Sequence, residues 1–145
     1  NISIGHQRYM GYRKALEDNN LPVQERWIIH GGFRQVDGRH AADRLIDMDD
    51  RPDAVFAVND PVAIGAYIRF KERQIVIPDQ MALVGFSNNP ISALIDPPLT
   101  TVEQPSYEIG KEAARLLLEK IEHGMTPDDN SEHVLKTRLI VRQSS

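Results

Sequence analysis

Apolar positions along this chain switch repeatedly between helical spacing and short unbroken runs. Over residues 5–19, Tyr9, Tyr12, Ala15 and Leu16 recur at i, i+3, i+6 and i+7, the spacing of one helix face. Ser3 is placed to cap that helix, and Asn19-Asn20 can take the left-handed conformation that ends it. Arg26-Trp27-Ile28-Ile29-His30 reads as a strand ending at Gly31-Gly32. A second helix follows, capped by Asp37, with Ala41, Leu45 and Met48 on one face and Arg51-Pro52 closing it. Residues 54–58 are the next strand, too apolar to alternate, as expected of a strand covered on both faces. Asp60 and Pro61 then stand as N-cap and first residue of a third helix carrying Val62, Ala66, Ile68 and Phe70. Residues 82–86 repeat the buried-strand pattern. After a proline-rich connection, residues 100–103 form a short strand, and Ser106 caps a long helix with Ile109, Ala113, Leu116, Leu117 and Ile121 inward until Gly124. In the last stretch, Leu135, Thr137, Leu139 and Val141 alternate with Lys136, Arg138 and Arg142, the pattern of a half-exposed strand over residues 134–142.

The first three predicted strands start about 28 residues apart, close to the length of a βαβ unit. Right-handed crossovers then give an α/β fold, a doubly wound, mainly parallel sheet with helices on both faces. Composition agrees: 145 residues, 41% hydrophobic and 26% charged, suffice for one globular domain. A net charge of −4 without any cluster of Lys and Arg argues against strong DNA binding by this chain itself. The absence of cysteine removes disulfides, thiolate metal sites and a cysteine nucleophile, and fits a reducing compartment. No apolar run approaches the ~20 residues of a membrane span. The opening Asn1-Ile2-Ser3 has neither an initiator Met nor a signal-peptide pattern, as if cut from a longer protein.

Two junctions carry the candidate chemistry. Residues 55–61 (VFAVNDP) and 82–90 (ALVGFSNNP) both end an apolar run in uncharged amides and a proline. In an open α/β sheet, strand ends and helix N-termini aim side chains and unpaired amides into one crevice, which favours a small-molecule binder. An enzyme reading exists, because Gly85-Phe86-Ser87 resembles half of a nucleophile elbow. The second half fails: position 89 is Asn, His6 and His40 fall on helices, His123 and His133 flank a loop, and His30 precedes the serine. No two histidines stand four apart, and Asp47, Asp49 and Asp50 read as a solvated helix end, so no metal site is expected.

Four strings in register give a resemblance over nearly the whole chain. Arg8-Tyr9-Met10-Gly11-Tyr12, the run 52–60 (PDAVFAVND) with Ala63-Ile64-Gly65-Ala66, Val84-Gly85-Phe86, and the run 98–105 (PLTTVEQP) resemble the lactose-repressor/galactose-repressor family of bacterial transcription regulators. The resemblance implies the C-terminal part of a periplasmic-binding-protein-like effector domain, cytoplasmic and without cofactor, in which two lobes enclose a sugar or other small metabolite. It implies a lobe over residues 1–98 whose first strand precedes Asn1, a crossover strand and helix over 99–128 packing on the other lobe, and a return strand over 129–145. DNA would be bound only by a helix-turn-helix headpiece outside this chain.

The same resemblance names a pocket. Arg8 matches the family's pocket arginine and suits bidentate donation to hydroxyls or a carboxylate. Asn59 can both donate and accept at a hydroxyl pair, since Asp60 supplies the cap. Phe33 offers a flat face to a sugar ring or is simply a core residue, and Gln104 faces the cleft at the lobe crossover or is a solvated linker residue. Ser87 and Asn88 mark a departure, because many sugar-binding relatives carry an aspartate directly after Gly-Phe or Gly-Tyr. A charged hydrogen bond contributes about 1.5–3 kcal/mol against roughly 0.5–1.5 for a neutral one, so this change lowers affinity for an unmodified sugar by up to more than tenfold. An anionic ligand such as a sugar acid fits that loss of repulsion, whereas a turn-capping role for Ser87 and Asn88 would leave the ligand open. Ile91, Leu94 and Ile95 are unusually apolar for a loop and match the family's subunit interface, where each would contribute about 1.5–3 kcal/mol on burial. Packing on their own domain is the alternative. With its usual partner lobe outside the chain, the helix over 106–123 leaves Leu116, Leu117 and Ile121 uncovered, which predicts a dimer contact, a swap or poor order there. A periplasmic transport protein shares the fold; a signal peptide upstream would mark one, a helix-turn-helix the regulator.

Overall fold

A computed structural model describes residues 3–124 and 132–145 of the chain. Its elements run α1 (Ser3–Asp18), a 3-10 turn (Glu25–Trp27), α2 (Gln35–Ile46), β1 (Ala54–Phe56), α3 (Asp60–Glu72), β2 (Ala82–Phe86), a second 3-10 turn (Pro90–Ala93), β3 (Thr100–Glu103), α4 (Ser106–His123) and β4 (Arg138–Ile140). The sheet order is β1-β2-β3-β4. β1 pairs in parallel with β2 (Val55 opposite Leu83) and β2 in parallel with β3 (Gly85 opposite Thr101), while β4 returns antiparallel (Thr101 opposite Ile140). β3 therefore belongs to the same sheet as β1, β2 and β4, and α4 follows it after Glu103.

Side-chain alternation divides the sheet's two faces. Leu83 and Gly85 turn toward α3 and are buried with Phe70, Met81 and Leu99, all three fully enclosed. Full burial of such a side chain contributes about 1.5–3 kcal/mol each. Phe86 points the other way and meets α1, where Arg8 lies over its ring. Helices thus occupy both faces. α2 packs on α3 through glycines: a methyl at Gly38 would stand 2.0 Å from the Val62 carbonyl oxygen, and one at Gly65 1.9 Å from that of Gln35. Ion pairs fence this crossing, with Arg69 Nε 2.7 Å from Asp43 Oδ1 and Arg39 Nη2 2.7 Å from Glu72 Oε2.

Several expectations need correction. No strand forms over Arg26–His30: Glu25–Trp27 is a 3-10 turn, and residues 28–32 meet no partner strand among the described residues, so no ladder can form. β1 stops at Phe56 and is not covered on both faces; Phe56 is 40% exposed, facing an open depression that it shares with α1 residues and Phe86. Asp37 is not the N-cap of α2. It sits one turn in and reaches back to accept from the Arg34 amide (2.9 Å), and the helix ends at Ile46, short of Met48. Ser106 is the first residue of α4, after Pro105, and its hydroxyl only grazes the Gln104 carbonyl at 3.4 Å. The expected inward face of α4 is outward: Ala113, Ile109, Leu117 and Ile121 are exposed and Leu116 half-buried. That helix makes its amphipathic stripe without a surface among the described residues to bury it. The Ser3 side chain expected to cap α1 lies outside the described residues, as do the His123 side chain and residues 125–131. Asn20 does close α1 at φ 56, and β4 is shorter than the predicted strand, covering Arg138–Ile140 only.

Candidate functional site

Parallel strands place their C-terminal ends on one edge, and the residues singled out from the sequence collect there. Arg8, from the second turn of α1, donates through Nη1 to the Val58 carbonyl just past β1 (2.5 Å). Its guanidinium carbon stands 3.7 Å from the centre of the Phe86 ring at the end of β2, a cation–π contact that suits a partly desolvated cation. Burial lowers the Arg8 pKa from its ordinary value, yet so basic a group stays charged at neutral pH. Beside Val58, the Asn59 side chain uses both ends. Oδ1 accepts from the Val62 amide (2.9 Å) and Nδ2 donates to the Phe33 carbonyl (2.9 Å). Asn59, not Asp60, is therefore the N-cap of α3, and the premise that left Asn59 without a structural task is corrected. The bond to Phe33 ties the segment after Gly31-Gly32 to this edge, and the Phe33 ring reaches α1 close to Gly5.

On the β2 side, Ser87 and Asn88 both have positive φ (113 and 50), a backbone state that side chains disfavour. Besides the Asn88 amide, which donates to Thr101 Oγ1 (3.3 Å), three contacts hold it. The Ser87 amide donates to the Val102 carbonyl (2.7 Å), Asn88 Nδ2 donates to Glu103 Oε1 (2.8 Å), and Asn88 Oδ1 accepts from Arg142 Nη2 (2.8 Å). Glu103 is held below the usual carboxylate range by hydrogen bonds from Arg138 and then from Asn88. Asn88 is thus committed to the sheet, whereas the Ser87 hydroxyl has no hydrogen-bond partner among the described residues. Turn capping falls to neither of them but to Asn89, whose Oδ1 accepts from the Ile91 amide (3.0 Å). Gln104 follows Glu103 half-buried, with its backbone carbonyl taken by the Ser106 amide (2.8 Å). Next to the edge, Gln7, Arg8, Gly11, Tyr12, Ala15, Phe56 and Phe86 line an open, mostly apolar depression of about 450 Å³.

The sequence reading missed the residue beneath this edge. Asp60 is fully buried; its Oδ2 accepts from the Asn89 amide (2.6 Å) and Ser92 Oγ (2.7 Å), and its Oδ1 from Thr101 Oγ1 (2.6 Å). Its position at a helix start made it look like a cap. The available signals were the hydroxyls of Ser92 and Thr101 in otherwise apolar surroundings, and Gly85, where a methyl would lie 2.2 Å from Asp60 Oδ1. Arg142 was missed too, because its strand pattern reads as solvated.

Of the apolar loop, Ile91 and Leu94 are exposed, at 52% and 82%, while Ile95 packs against the chain's own core. No group of three or more histidine or acidic side chains among the described residues could hold a metal ion, and none of the described helices is long and apolar enough to cross a membrane.

Such a lobe, with parallel strand ends and a helix N-terminus converging on one polar edge, defines a ligand-binding domain of the periplasmic-binding-protein type. The chain belongs to the periplasmic binding protein-like domain family, which it matches over residues 2–145. The HTH-type transcriptional repressor PurR of Mannheimia succiniciproducens is 36% identical over 138 residues, 95% of this chain and 41% of that protein. Among solved structures, the transcriptional regulator CelR in complex with cellobiose superposes with a TM-score of 0.91 at 33% identity, over 97% of this chain and 42% of that one. A LacI family transcriptional regulator from Lactobacillus casei with bound sucrose gives a TM-score of 0.83 at 26% identity, over 97% and 51%. The chain spans two fifths to one half of the length of these relatives.

Proposed function

We propose that this chain is the effector-sensing region of a cytoplasmic bacterial transcription regulator, coupling a small ligand to the operator affinity of a DNA-binding headpiece outside it. The observation that carries the reading is the convergence of Arg8, Phe33, Asn59, Ser87, Asn88 and Gln104 along the C-terminal ends of β1, β2 and β3. Arg8 and Ser87 are the primary contacts, because one presents a cation at the edge and the other a hydroxyl without a hydrogen-bond partner among the described residues. Phe33 and Gln104 frame the ligand, and Asn59 and Asn88 meet it with the lone pairs and protons their structural bonds leave over. No catalytic step is assigned. The ligand is a sugar or sugar acid: cellobiose and sucrose occupy two similar regulators, and the edge carries Arg8 with no aspartate after Phe86.

The four-stranded sheet with α1, α2 and α3 forms one lobe, and α4, which follows β3, packs on a second. A ligand between the lobes shifts their equilibrium only by its differential affinity for the two arrangements. Exposed Ile91 and Leu94 form part of a homodimer interface that holds two headpieces together; Ile95 supports them from the core side. The regulators among the relatives favour this reading over a transport protein.

Calorimetric titration of the full-length protein with cellobiose, sucrose and glucuronate tests the assignment. Binding of at least one, weakened about tenfold or more by Arg8→Met through loss of a charged hydrogen bond, is the expected result. Binding unaffected by Arg8→Met would remove Arg8 from the pocket, and no binding of any would reject the sugar class.

A further inference from the structure

We infer that the buried Asp60 carboxylate is a positioning residue that locks the ligand-facing loop and the exposed 3-10 turn into one unit, so that displacement at the pocket edge is passed to the Ile91 and Leu94 surface. The inference rests on the proposed function for the meaning of that edge, though not for its own test. Asp60 opens α3 directly after the cap Asn59, yet its side chain runs inward under β2. One oxygen serves two neighbours that face different ways. Oδ2 accepts from the backbone of Asn89, whose predecessors Ser87 and Asn88 stand at the edge, and from the hydroxyl of Ser92, inside the turn that carries Ile91 and Leu94 outward. Oδ1 accepts from Thr101, which anchors the carboxylate to β3, and the Thr101 hydroxyl in turn accepts from the Asn88 amide (3.3 Å).

A fully buried carboxylate is tolerated only when hydrogen bonds replace its hydration, and here three donors do so. All three must therefore hold their places together. If the 87–89 loop shifted and withdrew the Asn89 amide, Oδ2 would lose one of two donors in a site closed to water, and the Ser92 hydroxyl would have to follow. Gly85 completes the device. With no side chain, it lets the β2 backbone pass over Oδ1; a methyl there would overlap the oxygen at 2.2 Å.

Hydrogen exchange on the full-length protein, with no ligand added, tests the coupling in Ser92→Ala, Asp60→Asn and Gly85→Ala variants. Ser92 meets this loop only at Asn89, whose carbonyl accepts from the Ser92 amide (2.8 Å) in a bond that the substitution leaves in place, and it makes no hydrogen bond to Ser87 or Asn88; Ser92→Ala is nevertheless expected to speed exchange of the Ser87 and Asn88 amides about tenfold, with Leu83 and Phe70 unchanged. Asp60→Asn and Gly85→Ala should release both edge and turn, including the Leu94 amide. Unchanged edge amides in Ser92→Ala overturn the inference, as does an even loss of protection across the domain, which would mark Asp60 as a general stabiliser. Should Asp60→Asn fail to fold, Ser92→Ala alone decides. Failure here leaves the ligand titrations untouched, so the two readings fall separately.

Discussion

Replacing Asn59 separates its two structural tasks. As N-cap of α3, its Oδ1 satisfies the Val62 amide; as a tether, its Nδ2 holds the Phe33 carbonyl. Asn59→Ala deletes both. Loss of the cap costs about 0.5–2 kcal/mol and loss of the tether about 0.5–1.5, so the alanine variant should lose roughly 1–3.5 kcal/mol in total. Asn59→Ser keeps a good capping oxygen and is too short to reach Phe33; its cost should be the tether alone, about 0.5–1.5 kcal/mol. Equilibrium urea unfolding, at unchanged slope, reads both values. Exchange at residues 31–34 should rise equally in the two variants, because each frees the Phe33 segment. Equal destabilisation by serine and alanine would refute the cap, and an unchanged Phe33 segment in both would refute the tether. Either result would return Asn59 to ligand contact as its main task.

Three further outcomes follow from the packing. Phe70→Ala opens the enclosed core beside Met81, Leu83 and Leu99 and should cost about 3–5 kcal/mol by urea unfolding. Gly65→Ala places a methyl against the Gln35 carbonyl oxygen, so α2 and α3 must part; a loss of about 1–3 kcal/mol is expected in the same assay, against the small gain an alanine gives an exposed helix. Acid sensitivity should depend on Arg69. Asp43 is held below the ordinary carboxylate range by the hydrogen bond from Arg69, and Glu72 by those from Arg39 and Arg69. Depressed folded values mean that their contribution is complete above the unfolded carboxylate range, near pH 4, and is lost as pH falls through the folded values. In urea midpoints followed from pH 7 downward, Arg69→Met should lie below the parent at neutral pH and converge with it in acid; a constant offset at every pH would contradict the pairing.

What local pattern determined was the order and type of most elements. Helical spacing placed α1, α3 and α4, turn residues ended them at Asn19-Asn20 and Gly124, and apolar runs placed β2 and β3 at Ala82–Phe86 and Thr100–Glu103. These properties depend on contacts within a few residues, so the chain carries them wherever it packs. The edge shared by Asn59 and Ser87 was legible for a related reason: parallel strands must end on one side once the βαβ order is known.

Only the tertiary structure decided which polar groups were already engaged. Asn59 and Asp60 are adjacent and chemically able to cap, and sequence cannot rank them; the passage of β2 over Asp60 drew that carboxylate inward and left the cap to Asn59. Asn88 was committed by Glu103 and Arg142, which lie 15 and 54 residues away along the chain. The expected strand at Arg26–His30 and the inward face of α4 had suitable local patterns but found no partner surface among the described residues, and a ladder or a buried stripe exists only when a second element supplies its other half.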